Sequence, residues 1–185
     1  MAGTVVTFSG AIGTRRSDIA IALADRLGWE RVKFSTFIAS RLAEGGAETD
    51  DRRLLQKLGQ ELVQSDVEGF VAGVLSQAVN WRPGDNLIVD GLRHAEVRLA
   101  LVHAIRPSSL HYVHVEVDEV TRQGTAETVR GIQERLLYRY DQDLTEAQLP
   151  KILPAYADQI VDGSLPATIV AEKISARLKA LGRLD

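Results

Sequence analysis

Three short apolar runs constrain this chain more than anything else in it. They are Thr4–Ser9 (TVVTFS), Asn86–Asp90 (NLIVD) and Leu110–Val117 (LHYVHVEV). The first two are apolar on both faces and the first is rich in β-branched residues. A strand with no polar face must be covered on both sides, which is the condition of a strand inside a parallel sheet. Two shorter strands are expected at Arg31–Phe34 and Gln159–Val161. Helical spacing fills the intervals. Ile19, Leu23 and Leu27 form one stripe that Gly28 stops, and Ser35–Ala43 reads as helix. Thr49 can cap a helix running through DDRRLLQKLGQELV, and Ser65-Asp66-Val67-Glu68 has the pattern of a capping box opening another. Glu96–Ile105 is a further helix. Pro166 suits the first turn of the last, whose stripe is Ile169, Ile174 and Leu178. Strands alternating with helices predict an α/β fold: a five-stranded parallel sheet between two helical layers, with right-handed crossovers. At 185 residues the chain suits one domain over 1–185.

Composition removes several classes of function. A formal charge of −3 lacks the basic excess that an extended nucleic-acid surface needs. The chain has no cysteine, which excludes disulfides and thiolate metal sites. MAGTVVTFSG shows no charged leader and no apolar run of membrane length, so a cytoplasmic protein without a membrane partner is the expectation. His94, His103, His111 and His114 have no metal-ligand spacing. His111 and His114 fall on opposite faces of one strand and read as structural.

Ligands of an open parallel sheet gather at the carboxyl ends of its strands, and the first such end carries a motif. Gly10-Ala11-Ile12-Gly13-Thr14-Arg15-Arg16-Ser17 follows a strand and precedes a helix. A phosphate-binding loop of the form G-x-x-x-x-G-K-[ST] occupies that context. Its glycines let backbone N–H groups converge on phosphate, its lysine spans the terminal phosphates, and its hydroxyl holds magnesium. Gly10 and Ser17 match. Arg15 replaces the last glycine and Arg16 replaces the lysine, so the Walker A loop is degenerate. Arg16 keeps the positive charge and can bind phosphate in bidentate fashion, but its planar fork is not equivalent to an ammonium. If residue 15 needs positive φ, a side chain there costs about 1 kcal/mol or more. Asp18 adds negative charge near the phosphates while suiting the helix's first turn.

The remaining arginines follow the other strands. Ser35, Thr36 and Arg41 come after the second, Asp90-Gly91-Leu92-Arg93 ends and follows the third, and Arg122, Arg130, Arg135 and Arg139 lie beyond the fourth. Between them runs Arg52-Arg53-Leu54-Leu55-Gln56-Lys57-Leu58-Gly59. This order resembles the P-loop nucleoside and deoxynucleoside monophosphate kinases, including adenylate kinase, phage-type deoxynucleotide kinases and dephospho-CoA kinase-like proteins. Ser35, Thr36 and Arg41 match the spacing of an S-T-x-x-x-x-R stretch that grips the acceptor phosphate. Asp90-Gly91-Leu92-Arg93 resembles D-G-F-P-R with one residue missing. Arg52 to Gly59 resembles the acceptor-binding helix of deoxynucleotide kinases. The cytidylate kinase-like branch also lacks the lysine, and Gly13–Ala20 is a loose relative of its G-S-G-G-R-E-I-A pattern.

The resemblance implies a division of labour. ATP would be the phosphate donor on residues Gly10–Ser17, with Arg16 and Ser17 at the terminal phosphates. Ser35, Thr36, Arg41, Arg52, Gln56 and Arg93 would hold a small phosphorylated acceptor, with residues 35–80 forming an acceptor-binding helical insertion. Ser17 would hold Mg2+, and Asp90 would orient it through water. Arg135 and Arg139 would close over the transferring phosphoryl from a lid-like arm at about 118–145 and exclude water. Arg16, Asp90, Arg135 and Arg139 are thus the expected catalytic set. The expected partners are small-molecule nucleotides, with a homodimer or a regulatory protein partner left open. A second reading stands beside the kinase: a catalytically impaired nucleotide-binding sensor, in which Arg15 and Arg16 clamp a phosphate without turning it over. Each arginine alone is also consistent with a solvated surface charge.

Overall fold

The computed structural model describes residues 2–47, 52–141 and 150–184. Five parallel strands form one sheet in the order β2-β3-β1-β4-β5: β1 (Thr4–Ser9), β2 (Arg31–Lys33), β3 (Leu87–Asp90), β4 (Ser109–Glu116) and β5 (Gln159–Asp162). The apolar runs land where their composition requires. β1 and β3 are buried along their whole length, and β1 lies between β3 and β4. The helices are α1 (Arg16–Leu27), α2 (Phe34–Glu44), α3 (Arg52–Leu75), α4 (Ala95–Ala104), α5 (Glu119–Arg130), α6 (Glu134–Asp141) and α7 (Ala167–Ala180), with a 3-10 turn at Leu153–Tyr156.

Alternation along the strands divides the core into two layers. Val5, Leu87, Val89 and Tyr112 pack under α2, α3 and α4 with Phe34, Phe70 and Leu101. Val6, Phe8, Ile88 and Val113 pack under α1 and α7 with Ile19, Leu23, Ile174 and Leu178. A third, small cluster of Ile12, Ala126 and Leu137 fastens the α5–α6 arm to the segment after β1. The arm's weak apolar face therefore has an occupant. No helix among the described residues is long and apolar enough to cross a membrane.

Local expectations need three adjustments. The second strand ends at Lys33, because Phe34 already turns into α2. The two helices expected from Asp50 onward do form, and α3 is these two meeting at a kink at Asp66, whose φ −159° and ψ 82° are not helical. Asp66, not Ser65, makes the internal cap: its Oδ1 accepts from the Gly69 N–H at 2.8 Å, while the Ser65 hydroxyl donates back to the Glu61 carbonyl. Pro166 sits at the N-cap of α7, one residue before the first turn. Thr49 and residues 142–145 of the expected arm lie outside the described residues.

Register determines which residues meet at the carboxyl edge. Phe8 pairs with Asp90, and Lys33 also pairs with Asp90. Ser9 pairs with His114. The chain leaving β3 bends over β1, with the N–H groups of Gly91 and Leu92 both donating to the Phe8 carbonyl at 3.1 and 2.9 Å. Three connections thus begin side by side at the ends of three neighbouring strands: the start of α2 after β2, Gly91–Arg93 after β3, and the segment after β1.

Beneath this edge lies a buried polar triad. The Ser9 hydroxyl is bonded to the Tyr112 hydroxyl and lies 2.6 Å from His114 Nδ1. Burial pushes the Tyr112 phenol up to about 12 and the His114 imidazole down to about 4. A histidine whose folded pKa falls below its ordinary value of 6.5 is held neutral by folding. Its contribution is therefore complete above that ordinary value and fades as pH drops through it toward the folded one. Chemical unfolding followed from pH 7 to pH 4 should show a loss of about 3 kcal/mol from this group. His114→Gln should flatten that part of the profile, and an unchanged slope would remove His114 from the account.

Candidate functional site

The segment between β1 and α1 is shaped by its glycines and by what packs on them. Gly10 has φ 154° and Gly13 has φ 89°. A Cβ at Gly13 would collide with the Arg122 carbonyl of α5, so the loop and the arm can touch only at a glycine. Arg122 then secures the contact. It is only 9% exposed. Its Nη1 donates to the Ile12 carbonyl at 3.2 Å, and its guanidinium forms two-point bridges to Glu119 and to Asp141. Those two carboxylates outweigh its burial and raise its pKa. Arg122, expected among the arginines beyond β4, thus staples the arm to the loop.

Residue 15 does need positive φ. Arg15 stands at the N-cap of α1 with φ 58° and ψ 19°, the only non-glycine residue of that kind among the described residues. Its bridge to Asp18, 3.4 Å long and well exposed, offsets little of the strain. Behind it Asp18 and Ile19 donate the first bonds of α1 to the Arg15 carbonyl at 3.0 and 3.2 Å, and a helix N-terminus of this kind favours an anion. The Ser17 hydroxyl is buried without a hydrogen-bond partner of ordinary geometry.

Arg16 does not extend along the loop. Its Nε donates to Asp90 Oδ1 at 2.8 Å, and its Nη1 donates to the Gly10 carbonyl at 3.1 Å. Asp90, fully buried, also receives Arg31 Nη1 on Oδ2 at 3.1 Å. Burial alone would push the Asp90 carboxyl up. The Arg16 charge, with Lys33, the nearby Ser17 hydroxyl and Arg31, reverses this and holds it below the usual carboxylate range. Ser17 is thus close enough to influence Asp90 without completing a well-formed hydrogen bond.

Two cavities open around this ion cluster. One, about 40 Å³, lies over the loop and is lined by Ala11, Ile12, Gly13, Arg15, Arg16 and Ser17, with Arg52, Arg93 and Thr125 closing it. The other, about 100 Å³, lies between α2, α3 and the start of α4. Its polar lining is Arg16, Lys33, Ser35, Arg52, Gln56, Arg93 and His94, set among Phe34, Ile38, Leu55, Phe70 and Val97. Arg16, Arg52 and Arg93 line both, forming a cationic ridge between them.

The expected residues divide accordingly. Ser35, Arg52, Gln56 and Arg93 come together with the loop. Thr36 is exposed and lines neither cavity. Arg41 is bridged to Glu44 at 2.8 Å on the outer side of α2 and lines neither. Arg139 is likewise exposed on α6 and lines neither. The side chain of Arg135 lies outside the described residues. Sequence reasoning missed Arg31, Lys33, His94 and Thr125. Register sets Lys33, the last residue of β2, against Asp90, whereas Arg31 pairs with Ile88 and reaches Asp90 through its long side chain. Thr125 follows Arg122 by three residues and so shares its helix face.

No family model matches this chain, and no curated protein matches it. Solved structures do. A shikimate kinase from Acinetobacter baumannii in complex with shikimate superposes with a TM-score of 0.63 at 17% identity, covering 100% of this chain and 97% of that one. A putative kinase from Chloroflexus aurantiacus gives 0.63 at 15% identity over 97% of both chains. A gluconokinase from Sinorhizobium meliloti 1021 gives 0.60 at 17% identity over 97% of this chain and 93% of that one. This chain shares the fold of these kinases. Identities this low establish the fold alone.

Two stability predictions follow from the loop after β1. Arg15→Gly removes the strained side chain and should raise unfolding free energy by about 1 kcal/mol, whereas Arg15→Val should lower it. Asp90→Ala strands two guanidinium groups beside a buried space and should cost about 3–5 kcal/mol. Urea unfolding measures both; a stabilised Arg15→Val or a neutral Asp90→Ala would contradict the reading of this loop.

Proposed function

We propose that this chain is a nucleotide kinase-like phosphotransferase that moves the terminal phosphoryl of ATP to a nucleoside or deoxynucleoside monophosphate, or to a similar small phosphorylated acceptor. One observation carries the reading: two cavities, one on a glycine loop and one beside it, share Arg16, Arg52 and Arg93. Phosphoryl transfer asks little covalent chemistry of a protein. It asks for two anionic groups held in line and for positive charge around the group that moves. A wall of three arginines common to both cavities meets that requirement. The donor would lie over Gly10–Ser17, its terminal phosphate against the ridge and the Ser17 hydroxyl. The acceptor would enter between α2 and α3, its phosphate on Arg52 and Arg93 and its body among Phe34, Ile38, Leu55 and Phe70, with Ser35, Gln56 and His94 as polar contacts.

Two of the expected participants change weight. Arg41 would not grip the acceptor from its place on Glu44, and Arg139 would act only after α6 moves. A magnesium ion is the implied companion of a triphosphate on such a loop, and the donor set fits it in part. The orphaned Ser17 hydroxyl suits a metal or a phosphate oxygen. Asp90 fits poorly, because its charge is already neutralised by two guanidinium groups that would repel a metal ion beside it.

The sensor reading draws its support from the same ion cluster. Arg16, held to Asp90 and to the Gly10 carbonyl, binds a phosphate more readily than it follows one through a transition state. Incubation with ATP, magnesium and a panel of ribo- and deoxynucleoside monophosphates separates the readings. Diphosphate formation from at least one acceptor is expected. Arg93→Ala should lower kcat/KM for that acceptor roughly tenfold or more, while Arg41→Ala stays near wild type. Nucleotide-induced thermal stabilisation without turnover would favour the sensor. Equal damage from Arg41→Ala and Arg93→Ala would overturn the site map.

A further inference from the structure

We infer that the glycine loop binds its polyphosphate ligand without needing a divalent cation, with the Arg16 guanidinium standing where the loop chemistry calls for the metal. This rests on reading the loop as an anion site.

The starting point is the state of Asp90. It is fully buried at the end of β3 and has one oxygen on Arg16 and the other on Arg31, at 2.8 and 3.1 Å. Lys33 stands beside it in register on β2. A hydrated divalent cation oriented by Asp90 would have to sit beside the two guanidinium groups and the lysine that already neutralise this carboxylate, and would face their positive charge at close range. Like charges brought together in a water-poor pocket are strongly disfavoured. Among the described residues that line the loop cavity the one carboxylate is Asp18, which is itself bridged to Arg15.

What the loop offers instead is fixed positive charge. Arg15, Arg16, Arg52 and Arg93 all line its cavity. Arg16 is aimed rather than loose: Asp90 holds Nε and the Gly10 carbonyl holds Nη1, while the side chain lines both cavities and is only 10% exposed. A guanidinium anchored at one edge presents the rest of its fork to a phosphate in a set orientation. Arg31 is a positioning residue in this arrangement. It neutralises the second Asp90 oxygen, so Arg16 can share its charge with a ligand without leaving a bare buried carboxylate. The orphaned Ser17 hydroxyl can donate to a phosphate oxygen directly.

Isothermal titration of the full chain with ATP, and separately with inorganic tripolyphosphate, tests this in excess EDTA and in excess magnesium. The expected result is affinity in EDTA within threefold of that in magnesium, for both ligands. Arg16→Gln should weaken binding at least tenfold in EDTA, with circular dichroism confirming the fold. The wild-type comparison decides the matter without any variant, should that substitution unfold the chain. Affinity tenfold or more higher in magnesium would overturn the inference while leaving the loop as a phosphate site. No binding under either condition would remove the phosphate-site reading and this inference with it.

Discussion

A buried carboxylate between two guanidinium groups organises this molecule's functional edge. Asp90 ends a strand that has no polar face, so its charge cannot reach water. The residues that neutralise it come from two different connections: Arg16 from the first turn of α1 and Arg31 from β2. One ionised side chain therefore ties together the glycine loop, the second strand and the third. An uncompensated charge in that position would cost several kcal/mol, so these three pieces hold their places relative to one another or the edge does not form.

The neighbouring constraints act on the same loop from other sides. Gly13 admits the backbone of α5, and Arg122 fastens that helix through Ile12, Glu119 and Asp141. The loop is thereby pressed between an ion cluster below and an arm above, and Arg15 is left in a left-handed conformation that a glycine would adopt without strain. Strain of this kind persists where surrounding contacts determine the backbone, and it gathers at sites that bind or react. The arginines follow the same logic. Those that line both cavities, Arg16, Arg52 and Arg93, come from the start of α1, the start of α3 and the segment after β3. Arg41 and Arg139, on outward helix faces, line neither.

Much of this was legible in the residues. Strands apolar on both faces could only be interior strands of a covered parallel sheet, and the glycine loop after the first of them could only lie at its carboxyl edge. Gln56 and Arg93 were readable because short motifs brought them to that edge. The direction of a long side chain was not readable. Arg16 occupies the lysine position of a phosphate loop yet turns down to Asp90, because a buried carboxylate strongly attracts the nearest cation. Arg41 has the spacing of an acceptor grip yet lies on Glu44, three residues away on its own helix, a pairing that helical geometry makes cheap. The importance of Arg31 was hidden because it depends on which strands are neighbours, a fact of topology rather than of local pattern.

The central claim is that Arg16, Arg52 and Arg93 form one wall shared by two anionic ligands, with Arg16 kept in place by Asp90. A crystal structure with a non-hydrolysable ATP analogue and a nucleoside monophosphate bound together tests it most directly. The account predicts the donor's terminal phosphate and the acceptor's phosphate on opposite sides of that wall, each within hydrogen-bond reach of its guanidinium groups, with the Arg16–Asp90 bridge intact. Phosphates bound away from the three arginines, or an Arg16 that has left Asp90 to make room for a metal ion, would contradict it.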